Sequence, residues 1–219
     1  MGSRPERPIQ GVPYARYIAV GAITILLILL AVALISKPHI SSGLKAGVQV
    51  PPFAAPLATG TLKGNPDTAL HAKEGERGKV PACAERPPGA LNICALYERG
   101  PVVLALFVNE GSCPAVLSEM QAAAKRFPEV GFAAVAVRAQ QAEVRHLVRR
   151  GRLSIPVGYD EEGVLAGLYR MLSCPQLSFI YPGGRMQSDA LLQRPTPAGL
   201  DARVQALLVD ARARGWRGP

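Results

Sequence analysis

The sequence predicts an α/β domain, a central mixed sheet flanked by helices, preceded by one transmembrane helix. Three observations lead there. Short apolar runs at 102–107, 131–137 and 177–181 are too brief for water-exposed helices and rich in β-formers, so they read as buried strands. Between them lie stretches whose apolar residues recur at helical spacing, and crossovers of that kind join parallel strands beneath two layers of helices. Ahead of all this, residues 17–35 carry no charge, and Thr24 is the only polar member.

Composition narrows the function classes. The chain has 219 residues, 48% of them hydrophobic, enough for one well-filled domain and accessory segments. Net charge is +9, of which residues 1–37 supply three through Arg4, Arg7, Arg16 and Lys37 against Glu6. The remaining basic residues are scattered among alanines without aromatic interleaving, so a solvated surface is expected and no nucleic-acid partner. Four cysteines fit two disulfides, and fit unrelated free thiols equally well.

Residues 1–16 read as a short cytoplasmic tail. The apolar run, taken as a transmembrane helix over 17–36, would reach about 28 Å at 1.5 Å per residue, enough for a bilayer core of roughly 30 Å. Its rival is a cleavable signal, because Ala31-Val32-Ala33 resembles a cleavage site. The apolar core exceeds the roughly 7–15 residues usual for signals, so an uncleaved anchor is expected. Arg4, Arg7 and Arg16 outweigh Lys37 beside it, which puts the N-terminus in the cytoplasm and the C-terminal domain outside, in a single-pass protein of the cell membrane. Disulfides persist in such a compartment.

Residues 37–78, rich in Gly, Pro, Ser and Ala, read as an extracytoplasmic linker, with the apolar cluster around Phe53 either free or docked on the domain edge. The domain proper is expected over 79–219. Cys83 and Cys94 enclose the turn signal Pro87-Pro88-Gly89, which brings the two thiols within range of each other. The pair reads as a structural disulfide, with two separate thiols as the alternative; a zinc site is disfavoured because neither cysteine has a close Cys or His companion.

The central stretch is 101–127. After the first strand, Asn109, Glu110 and Gly111 break the chain, Ser112, Cys113 and Pro114 follow, and Val116, Met120 and Ala123 then share a helical face. A cysteine at a strand-to-helix junction meets unpaired backbone N–H groups and the positive end of the helix dipole, both of which stabilise a thiolate. Pro114 suits the first helical turn, which has no use for its missing N–H. Next come the strand 131–137 and an amphipathic helix over 140–152, with Val144, Leu147 and Val148 inside and Arg145, Arg149 and Arg150 outside. A short edge at 154–157, a polar turn at 158–163 and a helical turn or two at 164–171 are expected before the strand 177–181. Pro182-Gly183-Gly184-Arg185 then turns the chain into an antiparallel strand over about 186–192. Thr196 opens a last helix with Leu200, Val204, Leu207 and Leu208 on one face.

This order, with a cysteine after its core strand and a proline opening a later one, resembles the thioredoxin fold. More narrowly, it resembles the membrane-anchored TlpA/ResA-like thiol-disulfide oxidoreductases. Their W-C-x-x-C motif and the R-A-E-M-P-like segment after it correspond to Ser112 through Val116 and Leu117 through Gln121. Their cis proline, apolar strand and D-x-x-G-R-like turn correspond to Pro175 through Arg185. The resemblance covers roughly residues 79–212. Two departures stand out: Ser112 replaces the tryptophan, and Val116 occupies the place of the second, resolving cysteine.

The resemblance also places the residue before the cis proline beside the active cysteine, and here that residue is Cys174. It therefore implies an extracytoplasmic exchange protein in which Cys113 is the nucleophile, Cys174 resolves the mixed disulfide, and Pro175, Pro114 and Ser112 shape the substrate groove. Its partners would be thiols and disulfides of exported proteins and a membrane or extracytoplasmic redox partner. The competing reading is a non-catalytic scaffold that only binds. A peroxidase lacks support, since Glu110 stands where peroxiredoxins carry threonine and its carboxylate would oppose a thiolate. No motif sets His39, His71 or His146 beside these thiols, so neither a metal nor another cofactor is implied.

Overall fold

The computed structural model describes residues 14–35, 42–75 and 79–218, with side chains in the first segment described at 14 and 17–31. Arg4, Glu6, Arg7, Lys37 and His39, on which part of the expected topology and metal reading rests, lie outside these residues. The chain divides into two compact units, residues 1–40 and 41–219.

The first unit holds helix α1, Tyr14–Ile35. Its described side chains are all exposed, and the Thr24 hydroxyl donates to the Val20 carbonyl at 2.9 Å, satisfying that polar group within the helix. Among the described residues no helix is long and apolar enough to cross a membrane. The span expected over 17–36 runs past the described side chains at its C-terminal end.

In the second unit a four-stranded sheet has the order β5-β4-β3-β6, built from β3 (Val102–Phe107), β4 (Gly131–Val137), β5 (Val157–Asp160) and β6 (Gln176–Ile180). β3 runs parallel to β4 from Val102↔Gly131 to Phe107↔Ala136, and β4 runs parallel to β5. β6 returns antiparallel to β3, from Val102↔Ile180 to Leu106↔Gln176. All six residues of β3 are buried because both faces of this central strand are covered, which explains its unbroken apolar run.

Val103, Ala105 and Phe107 face helices α3 (Val116–Arg126) and α6 (Pro197–Ala213), which bring Val116, Met120, Leu200 and Val204 to that side. Thr196 caps α6 by accepting from Gly199 N–H at 3.1 Å, and Pro197 sits at the first helical position, as its sequence signature requires. Leu104, Leu106 and Val135 face the opposite way, toward α2 (Ile93–Arg99) and α5 (Val164–Leu168). The remaining helix, α4 (Gln141–Gly151), buries Val144 and Val148.

Four elements differ from expectation. First, much of the stretch expected as a linker is packed, the cluster around Phe53 taking the docked one of its two expected arrangements. Val50, Phe53, Ala55 and Ala58 are fully or nearly fully buried, and Phe53 meets Tyr169 edge to face at 6.0 Å between ring centroids. Here β1 (Ala54–Pro56) pairs antiparallel with β2 (Ala90–Asn92). Arg145, expected on a solvated helix face, donates to the carbonyls of Ala58 and Gly60 at 2.8 and 3.0 Å and so fastens this stretch. Second, Asn92 starts α2, a helix not anticipated; its side chain accepts from Ala95 N–H and donates to the Ala82 and Glu85 carbonyls.

Third, residues 158–160 are strand and not turn. All four β5 residues are buried, and the Asp160 carboxylate accepts from the amides of Gly163 and Leu165 at 2.9 and 2.8 Å, so a polar residue belongs inside. Fourth, the expected strand over 186–192 touches β6 only at Ile180↔Met186 and Leu177↔Leu191. Between these points the chain swings out at Asp189, whose carboxylate binds Lys45 Nζ and the Ala46 amide, both at 2.9 Å.

Candidate functional site

Where β3 ends, Gly111 takes φ of 54°, a left-handed turn that glycine adopts without penalty, and the chain reverses into a 3-10 turn, Cys113–Ala115, that runs on into α3. Cys174 precedes β6, and the Cys174-Pro175 peptide bond is cis. Because β6 lies against β3, these two chain positions, 61 residues apart, converge at one end of the sheet. A disulfide joins Cys113 to Cys174, with 5.7 Å between their Cα atoms. The second disulfide, Cys83 to Cys94, lies in the other core layer, with 5.3 Å between Cα atoms and Cys94 fully buried. Asn92 organises its surroundings through the two carbonyl bonds described above.

The polar surroundings of the two bridge sulfurs differ. In the turn that carries Cys113 three backbone donors are engaged: Cys113 N–H bonds the Glu110 carbonyl, Ala115 N–H the Ser112 carbonyl, and Val116 N–H the carbonyls of Cys113 and Pro114. Pro114 has no N–H to give. The amide that meets a sulfur is that of Val108, which donates to Cys174 Sγ at 3.1 Å. The amides of Cys113, Ala115 and Val116 are therefore spent on the turn itself, and the helix dipole acts on Cys113 from beyond them.

Other anticipated residues fall as follows. Val116, in place of a second motif cysteine, is fully buried under the sheet. Ser112 and Glu110 are exposed, Pro114 is half-buried and Pro175 is buried. Glu119, in the first turn of α3, has its carboxyl pushed above the usual range by burial, with Arg194 Nε at 3.2 Å pulling the other way. His71 pairs with Glu74 on the surface, and His146 lines a groove with Asn109 and Arg150. Among the described residues no three His, Cys, Asp or Glu side chains gather to hold a metal.

A groove of about 200 Å³ opens beside the bridge, lined by Val108, Val137, Arg138, Ala166, Met171 and Leu172 as well as Ser173 and Cys174. Sequence reasoning missed it. Its walls come from the ends of β3 and β4, from α5 and from the loop before β6, and Val108 offers Cys174 a backbone N–H that no side-chain pattern reveals.

No family model matches this chain, and no curated protein does. Solved structures do match. A thiol:disulfide interchange protein of the thioredoxin family from Chlorobium tepidum aligns with TM-score 0.55 at 14% identity, over 74% of this chain and 97% of its own. The peroxidoxin BcpB from Mycobacterium tuberculosis aligns with TM-score 0.52 at 19% identity, over 78% and 97%.

The fold is thioredoxin-like. At these identities the likeness speaks to architecture, and interchange protein and peroxidoxin share that architecture. What separates the two chemistries on a thioredoxin-like scaffold is the site. Here the feature at the end of β3 is a pair of joined cysteines.

Proposed function

We propose that this protein exchanges thiols and disulfides with other proteins through the Cys113 and Cys174 pair, tethered to the cell membrane with its C-terminal domain outside the cytoplasm. One observation carries the exchange reading: two cysteines remote in sequence are bonded at the end of the central strands, beside an open groove. Reduced, the pair supplies a thiolate that attacks a partner disulfide, and the second thiol then releases the partner. Oxidised, it accepts two electrons from a partner dithiol by the same steps in reverse. Sulfur alone performs both, so no cofactor enters.

The Cys83 and Cys94 bridge has a structural role in this reading, supported by the full burial of Cys94 and by the absence of both cysteines from the groove lining. Support for the tether comes from the uncharged composition of residues 17–35 and the basic residues before them. A reporter tag at the N-terminus is expected to be shielded from protease in spheroplasts while a C-terminal tag is cut; the reverse pattern overturns the orientation.

Mass-spectrometric titration of the full chain in graded thiol buffers tests the exchange. The expected result is a Cys113 and Cys174 couple between about −100 and −250 mV, with the complete two-electron cycle lost in Cys113→Ser. A couple still oxidised below about −300 mV assigns the bridge to structure and the protein to the scaffold class.

A further inference from the structure

We infer that Cys174, and not Cys113, is the sulfur on which the partner is carried, so that the mixed disulfide forms at Cys174 and Cys113 is the thiolate that leaves and returns. The inference rests on the exchange reading above and inverts the roles expected from the sequence.

Three observations support it. Access comes first: Cys113 is 7% exposed, whereas Cys174 is only partly buried and lines the open groove, from whose walls Cys113 is absent. A thiolate must reach the sulfur that it attacks, and access is one of the factors that decide which sulfur of a disulfide reacts. Approach through the groove reaches Cys174.

Second is the hydrogen bond from Val108 N–H to Cys174 Sγ. When a partner is released, negative charge returns to Cys174, and a donor already aimed at that sulfur stabilises it without reorganisation. Third is the leaving group. Cys113 opens the turn that continues into α3, so the electron pair it takes when the bridge breaks sits at the positive end of an 11-residue helix. A sulfur that leaves easily and is the less accessible of the two is suited to resolving.

In the oxidative direction the steps balance as follows. A partner thiolate attacks Cys174 Sγ, the new sulfur–sulfur bond forms, and the Cys113 to Cys174 bond breaks with its electrons on Cys113. The partner's second thiolate then attacks the partner sulfur and expels Cys174 as a thiolate. The partner dithiol has lost two electrons and two protons, and the pair has gained two electrons, its thiolates taking protons from solvent. The reductive direction retraces this path, with the Cys174 thiolate attacking a partner disulfide. The groove's apolar walls, with Arg138 as its one charged lining residue, suit a partner cysteine flanked by apolar residues and arriving as a thiolate.

The test uses the oxidised full chain and reduced glutathione as the attacking thiol. After acid quenching and alkylation, peptide mapping locates the glutathione. Glutathione on Cys174 with alkylated Cys113, in at least about tenfold excess over the opposite pattern, is the expected result. Glutathione on Cys113, or on both in similar amounts, overturns the proposal. Single variants provide a second readout with glutathione disulfide: Cys113→Ser is expected to form its adduct at least about tenfold faster than Cys174→Ser, and the reverse order overturns it. A bridge that glutathione does not open in any buffer overturns the exchange reading itself, an outcome distinct from attack at the wrong sulfur.

Discussion

Removing the Cys113 to Cys174 bridge frees a loop closed over a sequence separation of 61 residues. In the chain-entropy account a closure of that length destabilises the unfolded chain by about 4 kcal/mol, so the Cys113→Ala/Cys174→Ala double variant should lose about that much stability. With a urea dependence of about 2 kcal/mol per molar, the unfolding midpoint should fall by about 2 M. Trp216, the single tryptophan, is partly buried against the core and reports the transition by fluorescence. The same quantity appears in the redox chemistry, because whatever the bridge adds to the fold, the fold adds to the bridge. At about 30 mV per 1.4 kcal/mol, the couple in the folded protein should lie about 90 mV below that of the same cysteines in the unfolded chain. A midpoint shift under about 0.5 M, in a variant that keeps its urea dependence, would refute the reasoning: the folded sheet would then give these sulfurs no advantage over a flexible chain.

Two further outcomes test the surroundings of the site. Asn92→Ala removes the α2 cap and two donors to buried carbonyls, and at about 1 kcal/mol for each bond should cost about 3 kcal/mol in urea unfolding. Asn92→Asp retains the cap but turns a carboxylate on the Ala82 and Glu85 carbonyls, so a neutral effect would sink this account of the residue. Burial pushes the Asp160 carboxyl above its ordinary value, against the pull of the Leu165, Val164 and Gly163 amides, with Glu162 adding to the rise. A raised value means that the native state binds this proton more tightly than the unfolded chain. The penalty is therefore full above the folded value and is relieved as pH falls through it toward the ordinary one. Stability relative to Asp160→Asn should accordingly rise between neutral pH and about pH 4, and a difference that falls over this range contradicts the assignment.

The strands and helices that proved legible are those whose pattern comes from burial on a large scale. β3 and β4 are continuous apolar runs because both their faces are covered, and α3, α4 and α6 repeat apolar residues because each lays one face on the sheet. The missed elements are those in which local chemistry prevails. β1 and β2 are three residues each, too short for any period, and Pro56 argues against a strand until its place in a two-stranded ribbon is seen. In β5, Gly158 and Asp160 look like turn residues. Gly158 is small because a side chain there would press on Ala55 and the Pro56 carbonyl, and Asp160 is inside to cap α5. At the site, the approach of Cys174 to Cys113 followed from resemblance, through the residue before Pro175. The unequal settings of the two sulfurs did not, because they depend on a main-chain amide and on walls from separate elements that side-chain spacing does not encode.

The first packed segment also bears on the edges of the sheet. Ala58 N–H bonds the Val157 carbonyl on the outer rim of β5, while Leu177 and Leu191 exchange two bonds of 2.8 Å on the outer rim of β6. Met186 N–H and Val50 N–H extend that lacing to Val48 and Gly184. These contacts occupy part of the hydrogen-bonding margin at both edges of the sheet and so leave less of it open to an added strand. On the exchange reading proposed above, a partner's hold would then come from the groove beside Cys174 and from the bond between sulfurs, and would end when that bond is exchanged.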